Sequence, residues 1–274
     1  MTRVVQISDT HLSPTKTQFT ANWPPLRDWV RKQRADLVIH TGDLTVDGAD
    51  VESDLRAGAD FMRALDAPVL AVPGNHDVGE AGNRHQPVNA ERLAGWRRNF
   101  GHDWWCRDVD QWRLIGFNSM LFGSDSDEEA LQLDWLQRTL DEAGDRRIAW
   151  FTHRPFFIED PDEGDRGYWT IKPRPRAQML DLVRRHDVAL IATGHLHKWH
   201  LREVDGCRYV WGPSSGFLVG PANQPELPGE KWLGAVVYEF DGADVSIDMV
   251  RIPGLSEFWI DDVLHEVYPP RTAA

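Results

Sequence analysis

The chain has 274 residues, 41% hydrophobic and 27% charged, which is typical of a globular protein with a substantial core. A formal net charge of −13 argues against broad binding to nucleic acid or to anionic membranes, because both need a basic surface. No apolar stretch approaches the roughly 18 residues needed to cross a bilayer. The start shows no signal-peptide pattern and the only cysteines are Cys106 and Cys207. We therefore expect a cytoplasmic protein with two reduced thiols and no membrane span.

Short apolar runs alternate with amphipathic segments along the first two thirds of the chain. The runs predict strands at residues 4–8, 37–40, 69–72, 112–118, 148–152 and 188–193. The amphipathic segments predict helices at residues 25–33, 50–65, 89–100, 128–143 and 176–185. This alternation predicts an α/β layered fold.

After residue 198 the pattern changes to strands without helices between them. We predict antiparallel strands at residues 199–204, 208–211, 235–240 and 245–251. We expect residues 198–268 to complete the second sheet, so that 1–268 form one domain and 269–274 a flexible tail. The late strands could also supply the surface of a homodimer. The long loop at 159–174, which contains Tyr168, is expected to border a functional site.

Five polar segments follow apolar runs of the predicted strands. They are Asp9-Thr10-His11, Gly42-Asp43, Gly74-Asn75-His76-Asp77, Thr152-His153-Arg154 and Gly194-His195-Leu196-His197. The carboxyl ends of strands in an α/β sheet meet at one edge, so their carboxylate, amide and imidazole groups should converge there. Such a mixed set predicts a two-metal hydrolytic centre holding Fe, Mn or Zn, without choosing among these metals.

The spacing within these segments supports a shared site. Residues i and i+2 of a strand point the same way, so Asp9 and His11 can reach one ion. A glycine precedes Asp43, Asn75 and His195, and glycine allows a close approach of the backbone to a cluster. Two adjacent cations need a bridging anion, and we assign that role to Asp43. Asp-x-His and Gly-Asp alone are weak signals, whereas Gly-Asn-His-Asp and Gly-His-x-His are rarer, and all five motifs in order are specific.

Together the segments resemble the signature of the calcineurin-like metallophosphoesterases: D-x-H, G-D, G-N-H-[DE], H and G-H-x-H. The resemblance implies a four-layer fold, with two mixed β-sheets packed face to face and flanked by helices. It implies one metal ion held by Asp9, His11, Asp43 and His197. It implies a second ion held by Asp43, Asn75, His153 and His195. His76 would be the catalytic residue, touching the substrate phosphate or the leaving-group oxygen.

One position departs from the family pattern. Several members carry an acid three residues after the bridging aspartate, where it orients the histidine of G-N-H, and here that residue is Val46. Asp47 or Asp77 could orient His76 instead, or His76 could lack a carboxylate partner. The run Gly42-Asp43-Leu44-Thr45 resembles the bacterial subgroup that includes cyclic-nucleotide and glycerophosphodiester phosphodiesterases.

The predicted function is hydrolysis of a small phosphodiester by attack of a hydroxide generated between two metal ions. Further substrate contacts are expected from Asn75, His76, Arg154, Trp199 and His200, although Arg154 could instead form a surface salt bridge. The alternatives are a phosphomonoesterase or phosphoprotein phosphatase, or a non-catalytic metal-binding scaffold. A nucleic-acid polymer is not an expected partner, because the chain lacks a basic tract.

Overall fold

The computed structural model describes residues 1–269, and two β-sheets form the centre of the fold. The strands are β1 (Thr2–Ile7), β2 (Leu37–His40), β3 (Val69–Ala71), β4 (Trp105–Val109), β5 (Trp112–Gly116), β6 (Arg147–Phe151), β7 (Val188–Thr193), β8 (His200–Val204), β9 (Cys207–Trp211), β10 (Gly234–Asp241) and β11 (Asp244–Arg251). The first sheet has the order β11-β10-β1-β2-β3 and the second β4-β5-β6-β7-β9-β8. Both sheets are mixed. In the first, β1, β2 and β3 are parallel and β10 is antiparallel to β1. In the second, β5, β6, β7 and β9 are parallel, and β4 and β8 are antiparallel to their neighbours.

The helices are α1 (Trp23–Gln33), α2 (Glu52–Arg63), α3 (Asn75–Val78), α4 (Ala90–Phe100), α5 (Asp127–Asp141), α6 (Pro173–Arg185) and α7 (Ile260–Val267). The outer face of the first sheet is covered by α1, α2 and α4, and that of the second by α5 and α6. The side chain of Asn89 accepts a hydrogen bond from Arg92 N and caps α4. Within residues 1–269, no helix has the length and apolar character that a bilayer crossing requires.

Alternation along each strand produces the layers. In β1, Val4 packs in the apolar cluster between the two sheets, while the next residue, Val5, packs against the helices that cover the first sheet. In β6, Ala149 and Phe151 face the first sheet and Trp150 faces α5 and α6. Successive strand residues point to opposite faces, so a strand buried on both sides reads as a continuous apolar run. The predicted fold of two mixed sheets flanked by helices is confirmed.

The prediction that the late strands all complete the second sheet is wrong. Only β8 and β9 join that sheet, whereas β10 pairs with β1 and carries β11 to the edge of the first sheet. The reason lies in β10, which is apolar on both faces: Val236 and Tyr238 pack between the sheets, and Ala235 and Val237 pack on the helix side. Such a strand needs cover on both sides, and the position beside β1 supplies it.

Besides the four-residue helix α3, two elements were not predicted. The strand β4 is a largely exposed edge strand with polar residues at its centre, so it carries little hydrophobic signal. The helix α7 does carry a signal, because Ile260, Val263, Leu264 and Val267 have helical spacing and pack together on one apolar cluster. Of the predicted tail, residues 270–274 lie outside the described part of the chain.

Candidate metal centre

The polar segments that follow β1, β2, β3, β6 and β7 meet at one edge of the sandwich. Three overlapping groups of side chains form there, and within each group the donor atoms lie within 4.8 Å of one another. The groups are Asp9, His11 and His197; His11, Asp43 and His76; and Asp43, His153 and His195. All of these residues except His76 are buried. The sequence-predicted ligands therefore converge on one buried site.

Asp43 lies at the centre of this cluster. Its Oδ2 is 3.2 Å from His153 Nε2 and 3.9 Å from His11 Nε2. Its Oδ1 accepts a hydrogen bond of 2.9 Å from the backbone N–H of His76. One carboxylate thus faces donor atoms on both sides, as a ligand shared by two cations must.

Three of the buried imidazoles are oriented by backbone carbonyls. In each, one ring nitrogen bonds to a carbonyl oxygen at 2.7–2.8 Å: His153 Nδ1 to Thr41, His197 Nδ1 to Phe217 and His195 Nε2 to Tyr168. A carbonyl only accepts, so that nitrogen carries a proton and the other nitrogen, once deprotonated, can offer a lone pair to a cation in the cluster. A histidine that donates one ring N–H to a carbonyl and turns the other ring nitrogen toward the site is typical of metal-binding histidines.

The distances between the ring nitrogens that face the cluster would accommodate a cation between them. His11 Nε2 and His197 Nε2 are 3.4 Å apart, and His195 Nδ1 and His153 Nε2 are 3.1 Å apart. Two nitrogens bound at about 2.1 Å to one tetrahedral ion would lie about 3.4 Å apart. The donor set therefore fits metal ions in both spacing and chemistry.

Asn75 provides a second, independent sign of fit. Its Oδ1 is buried and has no hydrogen-bond partner within residues 1–269, while its Nδ2 donates to Tyr168 Oη at 3.3 Å. An unpaired buried acceptor costs about 1–3 kcal/mol, so such groups are rare without a function. The amide oxygen is therefore available to a cation.

Without a cation, burial and neighbouring charges favour neutral His11 and His195, ionised Asp43 and protonated His153. Burial lowers the pKa of His11 and of His195 well below the usual value, so both are neutral near pH 7. Burial would raise the pKa of Asp43, but the neighbouring imidazoles of His153 and His76 hold it well below its usual range. Burial would lower the pKa of His153, but the Asp43 carboxylate raises that pKa to about 9.

Metal binding should therefore release a proton from His153. Because its pKa is raised to about 9, the imidazole is protonated at neutral pH without a cation and must lose that proton to become a ligand. We expect the affinity for Mn²⁺ to fall about tenfold for each pH unit below that value. Titration calorimetry in buffers of different ionisation enthalpy measures the released proton directly. Equal affinities at about pH 6.5 and about pH 8.5 would contradict this assignment.

The backbone at the cluster is strained. Five candidate ligands have left-handed φ angles between 43° and 72°: Asp9, His11, Asp43, His195 and His197. This conformation costs roughly 1–2 kcal/mol for a residue with a side chain. Strain of this kind persists where surrounding contacts impose it and is concentrated at functional sites.

The glycines that precede the candidate ligands lie directly against other ligands. A Cβ on Gly74 would overlap the carboxylate and backbone N of Asp43, and one on Gly194 would lie 2.6 Å from Asp9 Oδ2. Real Cβ atoms do not approach other atoms this closely, so any side chain must displace the aspartate. This close approach explains why glycine stands in these motifs.

We expect Gly74→Ala to displace Asp43 and to reduce the metal content of the purified protein. Overpacking typically costs about 1–3 kcal/mol, so the variant should still fold. Gly164→Ala is the matched control, because a Cβ there meets nothing within 4 Å. Metal analysis by mass spectrometry and thermal unfolding measure both effects. Equal metal content in Gly74→Ala and Gly164→Ala would show that the close approach is not needed.

His76 is oriented by a backbone carbonyl rather than by a carboxylate. Its Nδ1 lies 3.1 Å from the carbonyl oxygen of Val46. The Asp77 carboxylate instead accepts hydrogen bonds from Thr45 and from the backbone N–H groups of Leu44 and Gly74. Asp47 forms an ion pair with Lys16. Neither predicted acid orients His76, because the backbone already does so.

The remaining predicted substrate contacts are Arg154, Trp199 and His200, and each makes other interactions in the structure. Arg154 is buried, forms an ion pair with Glu80 and places its guanidinium 5.6 Å from the ring centroid of Tyr168, so its salt bridge is not at the surface. Trp199 pairs with Glu230 through backbone hydrogen bonds. His200 packs on Trp211 with ring centroids 4.8 Å apart. In the described part of the chain, neither Trp199 nor His200 contacts the cluster.

Sequence reasoning missed Tyr268. Its Oη lies 2.9 Å from His11 Nδ1, and its ring lies 4.6 Å from the ring of His76. The helical spacing of residues 260–267 could have placed a helix before it, but no motif linked that helix to a site 250 residues upstream. Tyr168, expected only at the border of the site, contacts both Asn75 and His195.

A buried cluster of carboxylate, amide and imidazole donors at the carboxyl ends of two facing sheets defines a protein of the metallophosphoesterase class. The family profile described as calcineurin-like phosphoesterase matches residues 2–199. The chain belongs to this family of hydrolases, which confirms the resemblance seen in the motifs.

Curated relatives include both phosphodiesterases and a phosphatase. The probable glycerophosphodiester phosphodiesterase GpdQ of Arcobacter nitrofigilis is 28% identical over 218 residues, which are 71% of each chain. The 3',5'-cyclic adenosine monophosphate phosphodiesterase CpdA of Escherichia coli K12 is 26% identical, covering 78% of this chain and 76% of the relative. The human serine/threonine-protein phosphatase CPPED1 is 28% identical, covering 50% of this chain and 44% of the relative. The first two match the predicted bacterial subgroup.

Solved structures show the same fold at low sequence identity. The purple acid phosphatase PPD1 from yellow lupin seeds has a TM-score of 0.67 at 14% identity, covering 99% of this chain and 57% of that protein. A dimetal phosphatase from Danio rerio has a TM-score of 0.61 at 14% identity, covering 91% of this chain and 97% of that protein. At such identity the likeness establishes the architecture alone.

Proposed function

We propose that the protein is a binuclear metal-dependent phosphodiesterase. The observation that carries the proposal is the position of Asp43, whose carboxylate faces a donor group on either side. One ion would be held by Asp9, His11, Asp43 and His197, and the other by Asp43, Asn75, His153 and His195. When bound, two such ions neutralise phosphoryl charge and lower the pKa of water.

The residues around the ion sites fix the geometry of the reaction. The carbonyls of Thr41, Phe217 and Tyr168 hold three imidazoles in the tautomer that leaves a lone pair for a cation. Because the candidate ligands are buried and backed by two sheets, they are organised before a substrate arrives. Such preorganisation places charge where it develops in the transition state without further reorganisation.

His76 supplies the proton for the leaving group in this proposal. Its Nδ1–H donates to the Val46 carbonyl, so the second proton of the imidazolium lies on Nε2. His76 is less buried than the candidate ligands, which keeps it accessible to a substrate. An alkoxide leaving group, as in a cyclic nucleotide or a glycerophosphodiester, needs such a proton donor.

The preference for diesters is supported by the similarity to GpdQ and CpdA, both named as phosphodiesterases. A phosphomonoesterase or phosphoprotein phosphatase is the second candidate, favoured by the likeness to CPPED1. A non-catalytic scaffold would not need His76 held at the metal cluster.

The experiment compares bis-p-nitrophenyl phosphate with p-nitrophenyl phosphate after reconstitution with Mn²⁺, Fe²⁺ or Zn²⁺. We expect turnover of the diester to exceed that of the monoester and to disappear with a chelator. Faster turnover of the monoester would favour the phosphatase. No turnover of either ester by protein with two bound ions would favour the scaffold.

A further inference from the structure

Two tyrosine hydroxyls contact candidate ligands at the two ends of the cluster. Tyr268 Oη lies 2.9 Å from His11 Nδ1, in the group that contains Asp9 and His197. Tyr168 Oη lies 3.3 Å from Asn75 Nδ2, beside the group that contains His153 and His195. The two tyrosines come from a loop near residue 168 and from the segment after α7, far apart in the sequence.

The direction of these hydrogen bonds follows from the donor chemistry. An amide Nδ2 only donates, so Tyr168 Oη is the acceptor from Asn75. His11 Nε2 faces His197 Nε2 at 3.4 Å, so both must offer lone pairs to a cation held between them. His11 then carries its proton on Nδ1, and Tyr268 Oη accepts that proton's hydrogen bond. Both phenol oxygens therefore accept from a candidate ligand.

Each phenol O–H remains available as a donor. Within residues 1–269, neither hydroxyl has a second hydrogen-bond partner. The rings border the place where a substrate must bind: Tyr268 lies 4.6 Å from the ring of His76, and Tyr168 lies 4.6 Å from the ring of His195. A phosphoryl group next to His76 and the cluster would meet a hydroxyl from each side.

We propose that Tyr168 and Tyr268 are substrate-binding residues that donate their hydroxyl hydrogens to oxygens of the phosphoryl group. The proposal rests on the proposed function and deepens it, since it adds two neutral donors to the phosphate site. Each tyrosine also positions a candidate ligand. Its oxygen accepts a hydrogen bond from His11 or Asn75, and the O–H of the same hydroxyl donates to the substrate.

The departure at Val46 is part of this arrangement. The Val46 side chain is fully buried in an apolar cluster with Ile260 and Val267 of α7. Lys16 Nζ adds a hydrogen bond to the carbonyl of Val267, which directly precedes Tyr268. A carboxylate at residue 46 would be buried in this apolar cluster, and its desolvation would cost free energy of folding. Valine therefore serves to hold the helix that delivers Tyr268, while its carbonyl orients His76.

The test measures binding of orthophosphate to the Mn²⁺-loaded protein by titration calorimetry. Tyr168→Phe and Tyr268→Phe keep the rings and remove the hydroxyls, and Tyr209→Phe is the control, because Tyr209 packs against Phe157 away from the cluster. We expect each of the first two variants to weaken phosphate binding about tenfold, as for loss of a hydrogen bond to a charged group. At Mn²⁺ concentrations that saturate both metal positions, each variant should hold two ions per chain, and Tyr209→Phe should bind phosphate like the wild type.

Two results would overturn the inference. If both variants bind phosphate as tightly as the wild type with two ions present, the hydroxyls do not donate to the substrate. If phosphate binding weakens only in proportion to lost metal, the tyrosines act through His11 and Asn75 alone. Wild-type protein that binds two ions but neither binds phosphate nor hydrolyses an ester would instead refute the proposed function and, with it, this inference.

Discussion

Replacing Asp43 by alanine is expected to remove both metal ions at once. Asp43 faces donor groups on both sides, so its loss takes a ligand from each ion and leaves their mutual repulsion uncompensated. Loss of groups that merely support metal ligands costs about 10–100-fold in affinity, so removal of a shared ligand should cost more than about 100-fold at each position. Activity should be undetectable at metal concentrations that saturate the wild type.

The control for this prediction is Asp108→Ala. Asp108 pairs with Arg113 at the exposed edge strand β4, far from the cluster, so its removal should leave both ions in place. Mass spectrometry of the native protein counts the ions directly. Two ions bound to Asp43→Ala would show that the carboxylate is not the bridge.

Replacing His76 by alanine is expected to leave both ions bound and to reduce turnover about 10²–10⁴-fold, the usual contribution of a general acid. His76 belongs to the cluster, but its Nδ1 is committed to Val46 and the other donor groups are complete without it. The loss should be largest for an alkyl phosphodiester, whose leaving oxygen needs a proton, and smaller for bis-p-nitrophenyl phosphate. Comparing kcat for the two esters measures this difference.

His102→Ala is the matched control, because that exposed histidine packs beside Trp104 and not at the cluster. It should retain full activity on both esters. Near-full activity of His76→Ala on the alkyl ester would rule out the proposed proton donor. Loss of an ion from that variant would instead make His76 a ligand.

Much of the site was predictable because each ligand motif follows a strand. The ends of β2 and β7 were predicted to the residue, and the ligands after them fall where the strands stop. Local spacing and glycine positions are sufficient to predict that these side chains meet, since parallel strands bring their carboxyl ends to a common edge. The motifs therefore predicted which side chains lie together at this edge, while their role as metal ligands stays a prediction.

The rest depended on contacts between distant segments. The partner of His76 is a backbone carbonyl, which no side-chain motif can encode. The place of β10 beside β1 follows from burial on both faces, which the sequence shows only as an apolar run. Tyr268 reaches His11 across more than 250 residues, and the packing of α7 in the cluster that contains Val46 brings it there.

The most direct test of the two-metal centre is a crystal structure of the protein loaded with Mn²⁺ and orthophosphate, with anomalous scattering measured at the metal edge. The account predicts two anomalous peaks about 3.5–4 Å apart on either side of the Asp43 carboxylate, with phosphate oxygens on both. A single peak, or two peaks that do not share Asp43, would contradict it.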